Sequence, residues 1–117
     1  MTETDFFEPY PASIQKLYSR FASSLKKIGP FTVEIKKTSL HLVNAKGFAG
    51  VHPKQSYLGI NLVLARKGTT PKADTVEQVS ANRFHHLFKL SAPDQINADF
   101  LVLVQEAYRL MGEKTAR

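Results

Sequence analysis

The chain has 117 residues, 43% of them hydrophobic, which is enough for one domain with a real core. It has no cysteine, which excludes disulfides, thiolate metal ligands and a thiol nucleophile. No apolar run reaches the roughly 18 residues that a membrane helix needs. The formal net charge is +6. The first residues lack the basic and apolar segments of a secretory signal, so we expect a cytoplasmic protein.

The positive charge is concentrated in the first two thirds of the chain. Between Glu8 and Asp74 the only acidic residue is Glu34, against eleven lysines and arginines. The remainder is balanced or slightly acidic. Such an uneven distribution of charge favours a polyanionic partner such as nucleic acid. A solvated lysine surface would have the same composition, and both interpretations stay open.

Two segments have apolar residues at helical spacing, residues 12–28 and 97–112. Pro11 suits the first turn of the first helix, and Asn97 is a typical N-cap of the second. Between the helices the pattern changes to alternation, which is typical of strands. The five predicted strands cover residues 31–36, 39–44, 47–53, 57–65 and 82–90.

Short connections fix the register of the first four predicted strands. Turns at Lys37-Thr38, Ala45-Lys46 and Lys54-Gln55 place apolar residues opposite one another, and a one-residue slip would destroy this match. The pairs are Val33 with Leu42, Leu42 with Ala49, and Ala49 with Ile60. Residues 66–81 then lead to the last strand, and the spacing of Asp74 and Glu77 is typical of a short capped helical turn.

These elements predict an α+β fold, a five-stranded antiparallel meander with two helices packed on one face. The single domain covers residues 12–112. An N-terminal extension at 1–11 precedes it, and a C-terminal tail at 113–117 follows it.

The other face of the predicted sheet has a glycine floor. The registers place Gly50 opposite Gly59, and the two missing side chains leave a shallow surface. Aromatic and cationic side chains around such a floor form a platform on which bases stack while phosphates meet basic edges. The predicted rim consists of Glu34, His41, Phe48, His52, Tyr57 and Asn61, joined by Arg83, His85 and Lys89 if the last strand lies beside the fourth.

Catalytic and metal sites are less well supported. Glu34 lies opposite His41 at about 5 Å, which is half of a general-base arrangement, but an exposed cross-strand ion pair explains the pair more simply. His41 and His85 would be about 14 Å apart, too far to share a metal ion. His86 lies between Phe84 and Phe88 and is expected to be a core histidine bonded to backbone. We therefore predict no catalytic residue, metal or cofactor.

A resemblance adds to this interpretation. The order of KKTSLHLV, GFAGVHPK, RFHHLFKL and QEAY resembles a family of small bacterial domains of unknown function, domain family 5655, from Ile14 to Tyr108. The family has no agreed catalytic residues. Some members are labelled predicted transport proteins, and some relatives carry the domain beside nuclease-like regions, which would fit nucleic acid by association. The matching positions are Lys37, Thr38, Phe48, Ala49, Pro53, Lys54, Arg83, His86, Ala107 and Tyr108.

The residues favour a non-enzymatic binding module for a polyanion such as nucleic acid. Two alternatives stay open. One is homodimerisation or docking of a partner protein through the Gly50/Gly59 face, and the other is a small-ligand pocket around Glu34 and His41. The candidate binding residues are Glu34, Lys36, His41, Phe48, His52, Lys54, Tyr57, Asn61, Arg83, His85 and Lys89.

Overall fold

The computed structural model describes residues 1–112. Both predicted long helices are present, and the side chain of Asn97 accepts a hydrogen bond from the backbone N–H of Phe100, which confirms the predicted cap. The tail predicted at 113–117 lies outside the described residues. The helices are α1 (Glu3–Phe7), α2 (Ala12–Ile28) and α3 (Ala98–Leu110); the strands are β1 (Thr32–Ile35), β2 (Leu40–Val43), β3 (Gly47–Pro53), β4 (Leu58–Leu64), β5 (Thr75–Ser80) and β6 (Arg83–Leu90).

The strands form one antiparallel sheet in the order β1-β2-β3-β4-β6-β5. The α+β class is therefore confirmed, and β6 lies beside β4 as the rim prediction required. The five-stranded meander is wrong, because a sixth strand, β5, lies at the far edge and β6 returns between β4 and β5. Every side chain of β5 is exposed, so no apolar alternation marks this strand in the sequence.

The predicted helical turn near Asp74 is also wrong. The carboxylate of Asp74 instead accepts a hydrogen bond from the backbone N–H of Lys89 at 2.7 Å, which ties the start of β5 to β6. At the other end of this connection, Arg66 forms two hydrogen bonds with the carboxylate of Glu106 in α3. The guanidinium holds the pKa of Glu106 below its usual value. Both ends of the connection are therefore anchored.

The first hairpin has the predicted register, with Glu34 opposite His41. The second also has the predicted pair of Leu42 and Ala49, but it contains a β-bulge that pairs Val43 with Gly47. Phe48 is the extra residue of the bulge. It is fully buried, so its predicted place on the rim of the glycine floor is wrong. Its ring lies edge-on to Tyr108 at 5.2 Å, so the bulge gains a buried aromatic contact.

The third hairpin is displaced by two residues from its predicted register. Val51 lies opposite Ile60, and the turn is centred on Gln55-Ser56, since the N–H of Lys54 donates to the carbonyl of Tyr57 at 2.9 Å. A shift of two residues keeps every side chain on its predicted face. It nevertheless separates the two glycines that the sequence placed side by side.

One buried cluster contains apolar side chains from α2, α3 and the sheet. Helix α3 contacts β3 and β4, and α2 contacts β4. The short helix α1 adds Phe6 and Phe7 to this cluster, and Phe7 stacks on Tyr18 of α2 at 4.5 Å. The boundary at residue 12 stays a prediction.

Candidate binding site on the open sheet face

The open face is the side of the sheet whose residues alternate with the buried core positions. Antiparallel pairing places open-face residues of neighbouring strands in rows across the sheet. One row crosses all six strands, and shorter rows lie on either side of it. The long row is Glu34, His41, Gly50, Asn61, Leu87 and Thr75; the shorter rows are His52, Gly59 and Lys89, and Val63, His85 and Glu77.

An open cavity of about 320 Å³ lies on this face between β3, β4, β6 and β5. We call it the open-face cavity. This volume lies at the small end of the range for small-molecule sites, so it suits one planar group rather than a large ligand. Its lining residues are His52, Lys54, Tyr57, Gly59, Asn61, Thr75, Glu77, His85 and Leu87.

The absence of a side chain at Gly59 keeps the middle of the cavity open. A Cβ added there would lie 3.0 Å from the carbonyl oxygen of His52 and 3.5 Å from Cδ1 of Leu87. Gly50 has a different neighbour, because a Cβ at that position would lie 3.0 Å from Nε2 of His52. Gly50 thus makes room for the imidazole. Since Gly50 pairs with Asn61 and Gly59 with His52, the predicted floor of paired glycines is wrong.

His52 is the titratable group with the most distinctive environment in the cavity. Partial burial lowers the pKa of His52 below its ordinary value of 6.5, and the proximity of His41 and Lys54 adds to this effect. The imidazole is therefore neutral near pH 7. A bound anion would offset these effects and favour its protonation.

An aromatic ring and a buried acceptor complete the cavity wall. The ammonium of Lys89 lies 5.4 Å from the centre of the Tyr57 ring, within the range of a cation–π contact. Oδ1 of Asn61 is buried and has no hydrogen-bond partner within residues 1–112. Buried polar atoms normally have a partner, so a donor group of a ligand would relieve a local deficit.

Five of the eleven predicted site residues line the open-face cavity, and Lys89 lies over one of them. The sequence did not indicate the contribution of β5, Thr75 and Glu77, because that strand lacks an alternating pattern. Leu87 also lines the cavity and was not among the predicted rim residues. The five residues are His52, Lys54, Tyr57, Asn61 and His85.

The other predicted positions lie away from the cavity. Lys36 forms a salt bridge with Glu34 at 3.7 Å. Glu34 lies opposite His41, as predicted. Within residues 1–112, however, Glu34 forms its ion pair with Lys36 and not with His41. Arg83 donates to the carbonyl of Asn82 at 2.8 Å, and Phe48 lies in the core. Neither Glu34 nor His41 lines the open-face cavity, and a small-ligand pocket around these two residues stays a prediction.

The part of the chain that the structure describes has no cluster of side chains suited to binding a metal ion. Residues 1–112 contain no group of three or more histidine, aspartate or glutamate side chains placed to hold one ion. No helix among these residues is long and apolar enough to cross a membrane.

The family model of a domain of unknown function (DUF5655) matches residues 3–111. The chain belongs to this family. No curated protein and no solved structure shows significant similarity to it. Several residues that carried the resemblance, including Phe48, Ala49 and Ala107, are buried in the core of this DUF5655 domain. They identify the fold rather than a chemical activity.

Two further motif residues have structural contacts in the DUF5655 domain. The hydroxyl of Tyr108 donates to the carbonyl of Pro30 at 2.6 Å and thereby joins α3 to the chain before β1. His86 is fully buried, as predicted, and its Nε2 lies 2.7 Å from the carbonyl oxygen of Arg66. Both contacts give these residues a structural role.

Proposed function

We propose that this domain binds single-stranded nucleic acid and receives one unstacked base in the open-face cavity. The observation that supports the proposal is the cavity itself, where an aromatic ring, one lysine and several hydrogen-bonding groups line a volume of about 320 Å³. Single-stranded bases are recognised by stacking on aromatic side chains and by hydrogen bonds to their edges.

The base would stack near Tyr57 and meet polar groups deeper in the cavity. Asn61 can both donate and accept hydrogen bonds, and the carboxylate of Glu77 accepts from exocyclic amino groups. Both residues line the cavity. A carboxylate inside the cavity favours a neutral base there over a phosphate.

The phosphates would meet Lys54 and Lys89 at the rim. Lys54 lines the cavity, Lys89 lies over Tyr57, and both are exposed. Lysines contribute to such binding mainly through counterion release, so the affinity depends on salt. Stacked, paired bases cannot enter a cavity of this kind, which favours single strands over duplex.

The proposal requires that the long helices pack on the other face of the sheet, so that the open face stays accessible to a ligand. Helices α2 and α3 would both cover the core face of the sheet, consistent with their contacts to β3 and β4. A non-enzymatic role and a cytoplasmic location stay predictions of the sequence.

The proposal is tested by fluorescence anisotropy with labelled single- and double-stranded DNA and RNA. With two phosphates neutralised, the affinity for single strands should fall about five- to tenfold between roughly 50 and 200 mM salt. Binding of every polyanion with equal affinity would indicate a general basic surface and contradict the proposal. Absence of binding at the lower salt concentration would also contradict it.

Two double variants with the same change in net charge make the test specific. Lys54→Ala with Lys89→Ala should lower the affinity and flatten its salt dependence, because both phosphate contacts are lost. Lys27→Ala with Lys46→Ala removes two exposed lysines that do not line the cavity and should leave binding close to wild type. Equal losses in the two variants would contradict the proposed location.

The second candidate is a free planar metabolite, favoured by the small volume of the cavity and by Glu77 within it. Competition by a nucleoside monophosphate separates the two functions. A monophosphate that binds as tightly as an oligonucleotide supports the metabolite, whereas much weaker competition supports the nucleic-acid strand.

A further inference from the structure

Within residues 1–112, Glu77 is the only acidic side chain that lines the open-face cavity. It lies on β5, opposite His85 of β6. Neither of the two salt bridges among the described residues includes it. An ionised carboxylate accepts hydrogen bonds and donates none. Glu77 therefore gives the cavity an acceptor that no cation of the described chain neutralises by a salt bridge.

Asn61 supplies a second acceptor to the same cavity. Its Oδ1 is buried and accepts no hydrogen bond within residues 1–112. Buried polar atoms normally have a partner, and an unmade hydrogen bond costs free energy. Since Asn61 and Glu77 both line the cavity with acceptors, they favour a ligand that carries donor groups on the edge that enters it.

The charges around the cavity are separated along the strands. Lys54 follows β3 and pairs with Tyr57, and Lys89 lies over the same tyrosine ring. Glu77 lies toward the other end of the cavity, in the row of His85. His85 and Lys89 are four residues apart on β6, or about 14 Å. A nucleotide laid along this direction has its phosphate near the lysines and the Watson–Crick edge of its base toward Glu77.

Guanine is the base whose Watson–Crick edge matches a carboxylate. Its N1–H and its 2-amino group lie side by side and donate to the two oxygens together, and such bidentate bonds to a charged acceptor are strong. Adenine and cytosine have a lone pair beside their amino group, and this lone pair would face a carboxylate oxygen. Thymine and uracil have a single N–H between two carbonyl oxygens. A carboxylate therefore accepts the edge of guanine and disfavours the others.

We propose that the open-face cavity selects guanine, with the carboxylate of Glu77 accepting hydrogen bonds from N1–H and the 2-amino group of the base. This inference rests on the proposed function, because it concerns the base that enters the cavity. It adds a specificity that the proposed function does not require. Stacking on Tyr57 and phosphate contacts with the lysines are available to every base.

The test uses short labelled strands of abasic nucleotides that carry one base at the central position, so that the cavity is offered one base only. The base is guanine, hypoxanthine, 7-deazaguanine, adenine, cytosine or thymine. A wholly abasic strand measures the contribution of the phosphates alone. Affinities are measured by fluorescence anisotropy at roughly 50 mM salt, where phosphate contacts are strong.

Guanine should bind about tenfold more tightly than adenine, cytosine or thymine, as expected for one bidentate pair. Hypoxanthine keeps N1–H but lacks the 2-amino group, so the loss of one hydrogen bond to an exposed carboxylate should weaken binding by about fivefold. 7-Deazaguanine keeps the whole donor edge and should bind like guanine. This last strand separates contacts to the Watson–Crick edge from contacts of the lysines with N7.

Two variants with the same change in net charge provide the matched control. Glu77→Gln replaces the carboxylate by an amide with one acceptor and one donor, which pairs with the edge of adenine as well as with that of guanine. The preference for guanine over adenine should therefore fall to within about twofold. Glu8→Gln changes an exposed residue outside the cavity and should keep the full preference.

Two results would overturn the inference and leave the proposed function intact. One is equal affinity for all strands that carry a base, with each binding more tightly than the abasic strand. The other is a preference for guanine that persists in Glu77→Gln or is lost with 7-deazaguanine, since other groups would then read the base. If no base improves on the abasic strand, the inference and the proposed function both fail.

Discussion

Two adjacent histidines of β6 have opposite environments. His86 is fully buried and bonded to the carbonyl of Arg66, whereas His85 is partly exposed and lines the open-face cavity. Strand alternation alone separates them, since neighbouring side chains point to opposite faces of a sheet. The comparison shows that a polar residue in a strongly marked motif can serve the fold, while its neighbour is available to a ligand.

The same division holds for the two aromatic residues that the sequence placed on the open face. Phe48 lies in the core against Tyr108, and only Tyr57 remains beside the cavity. Five of the ten matching motif positions are buried, whereas Lys54 is exposed and lines the open-face cavity. The motif therefore contains residues of both kinds, and the position of each side chain in the sheet decides which role it can have.

The strongest test of this division is removal of the core aromatic ring. Phe48→Ala should lower the free energy of unfolding by about 3–5 kcal/mol, because it leaves a cavity against Tyr108. Urea denaturation measures this loss. Oligonucleotide affinity, measured where the variant is still folded, should be close to wild type. A loss of binding without a loss of stability would place Phe48 at the site and contradict the comparison.

The converse change is made at Tyr57. Tyr57→Ala should weaken single-strand binding by about 1–3 kcal/mol, the usual contribution of one stacked base, as measured by anisotropy. Tyr57→Phe keeps the ring and should keep most of the affinity. The account fails at this position if the alanine variant binds as tightly as the wild type.

The two histidines themselves form a matched pair. His86→Leu leaves the buried carbonyl of Arg66 without its donor and should cost about 1–3 kcal/mol of unfolding free energy. His85→Leu should change it by no more than about 0.5 kcal/mol. Thermal or urea unfolding of both variants measures the difference. Similar costs at the two positions would show that the faces are not distinct.

The smallest expected effect concerns His52 and pH. Its folded-state pKa is lowered, so the unfolded chain binds the proton more readily, and stability should fall as the pH drops from about 6.5 through the folded-state pKa. Nucleic-acid affinity should rise a few-fold over the same range, because phosphate favours the imidazolium. In His52→Gln both pH dependences should be weaker. Identical profiles in variant and wild type would exclude His52 as their source.

Much of the fold follows from apolar spacing. The stripe of α2 and the alternation of β1 and β2 indicate both the elements and their buried faces, and Leu42 opposite Ala49 was predicted from such spacing. The third hairpin shows the limit of this reasoning. Val51 finds an apolar partner in either Leu58 or Ile60, so hydrophobic matching rejects odd shifts of register but cannot distinguish even ones.

The missing parts of the site have equally specific causes. Strand β5 is exposed on both faces, so its sequence lacks the period that marks a strand, and Thr75 and Glu77 were not predicted to reach the cavity. The bulge at Phe48 depends on a tertiary contact with Tyr108, which lies 60 residues further along the chain. Neither the position of β5 nor the contact between Phe48 and Tyr108 can be inferred from the local sequence pattern.

The central claim is that the open-face cavity receives a base of a single strand. The most direct measurement is an NMR titration of ¹⁵N-labelled protein with a short single-stranded oligonucleotide. The account predicts the largest amide shifts around His52, Asn61 and His85, together with shifts in β5. Shifts confined to α2 and β1, with the cavity residues unchanged at saturation, would contradict it.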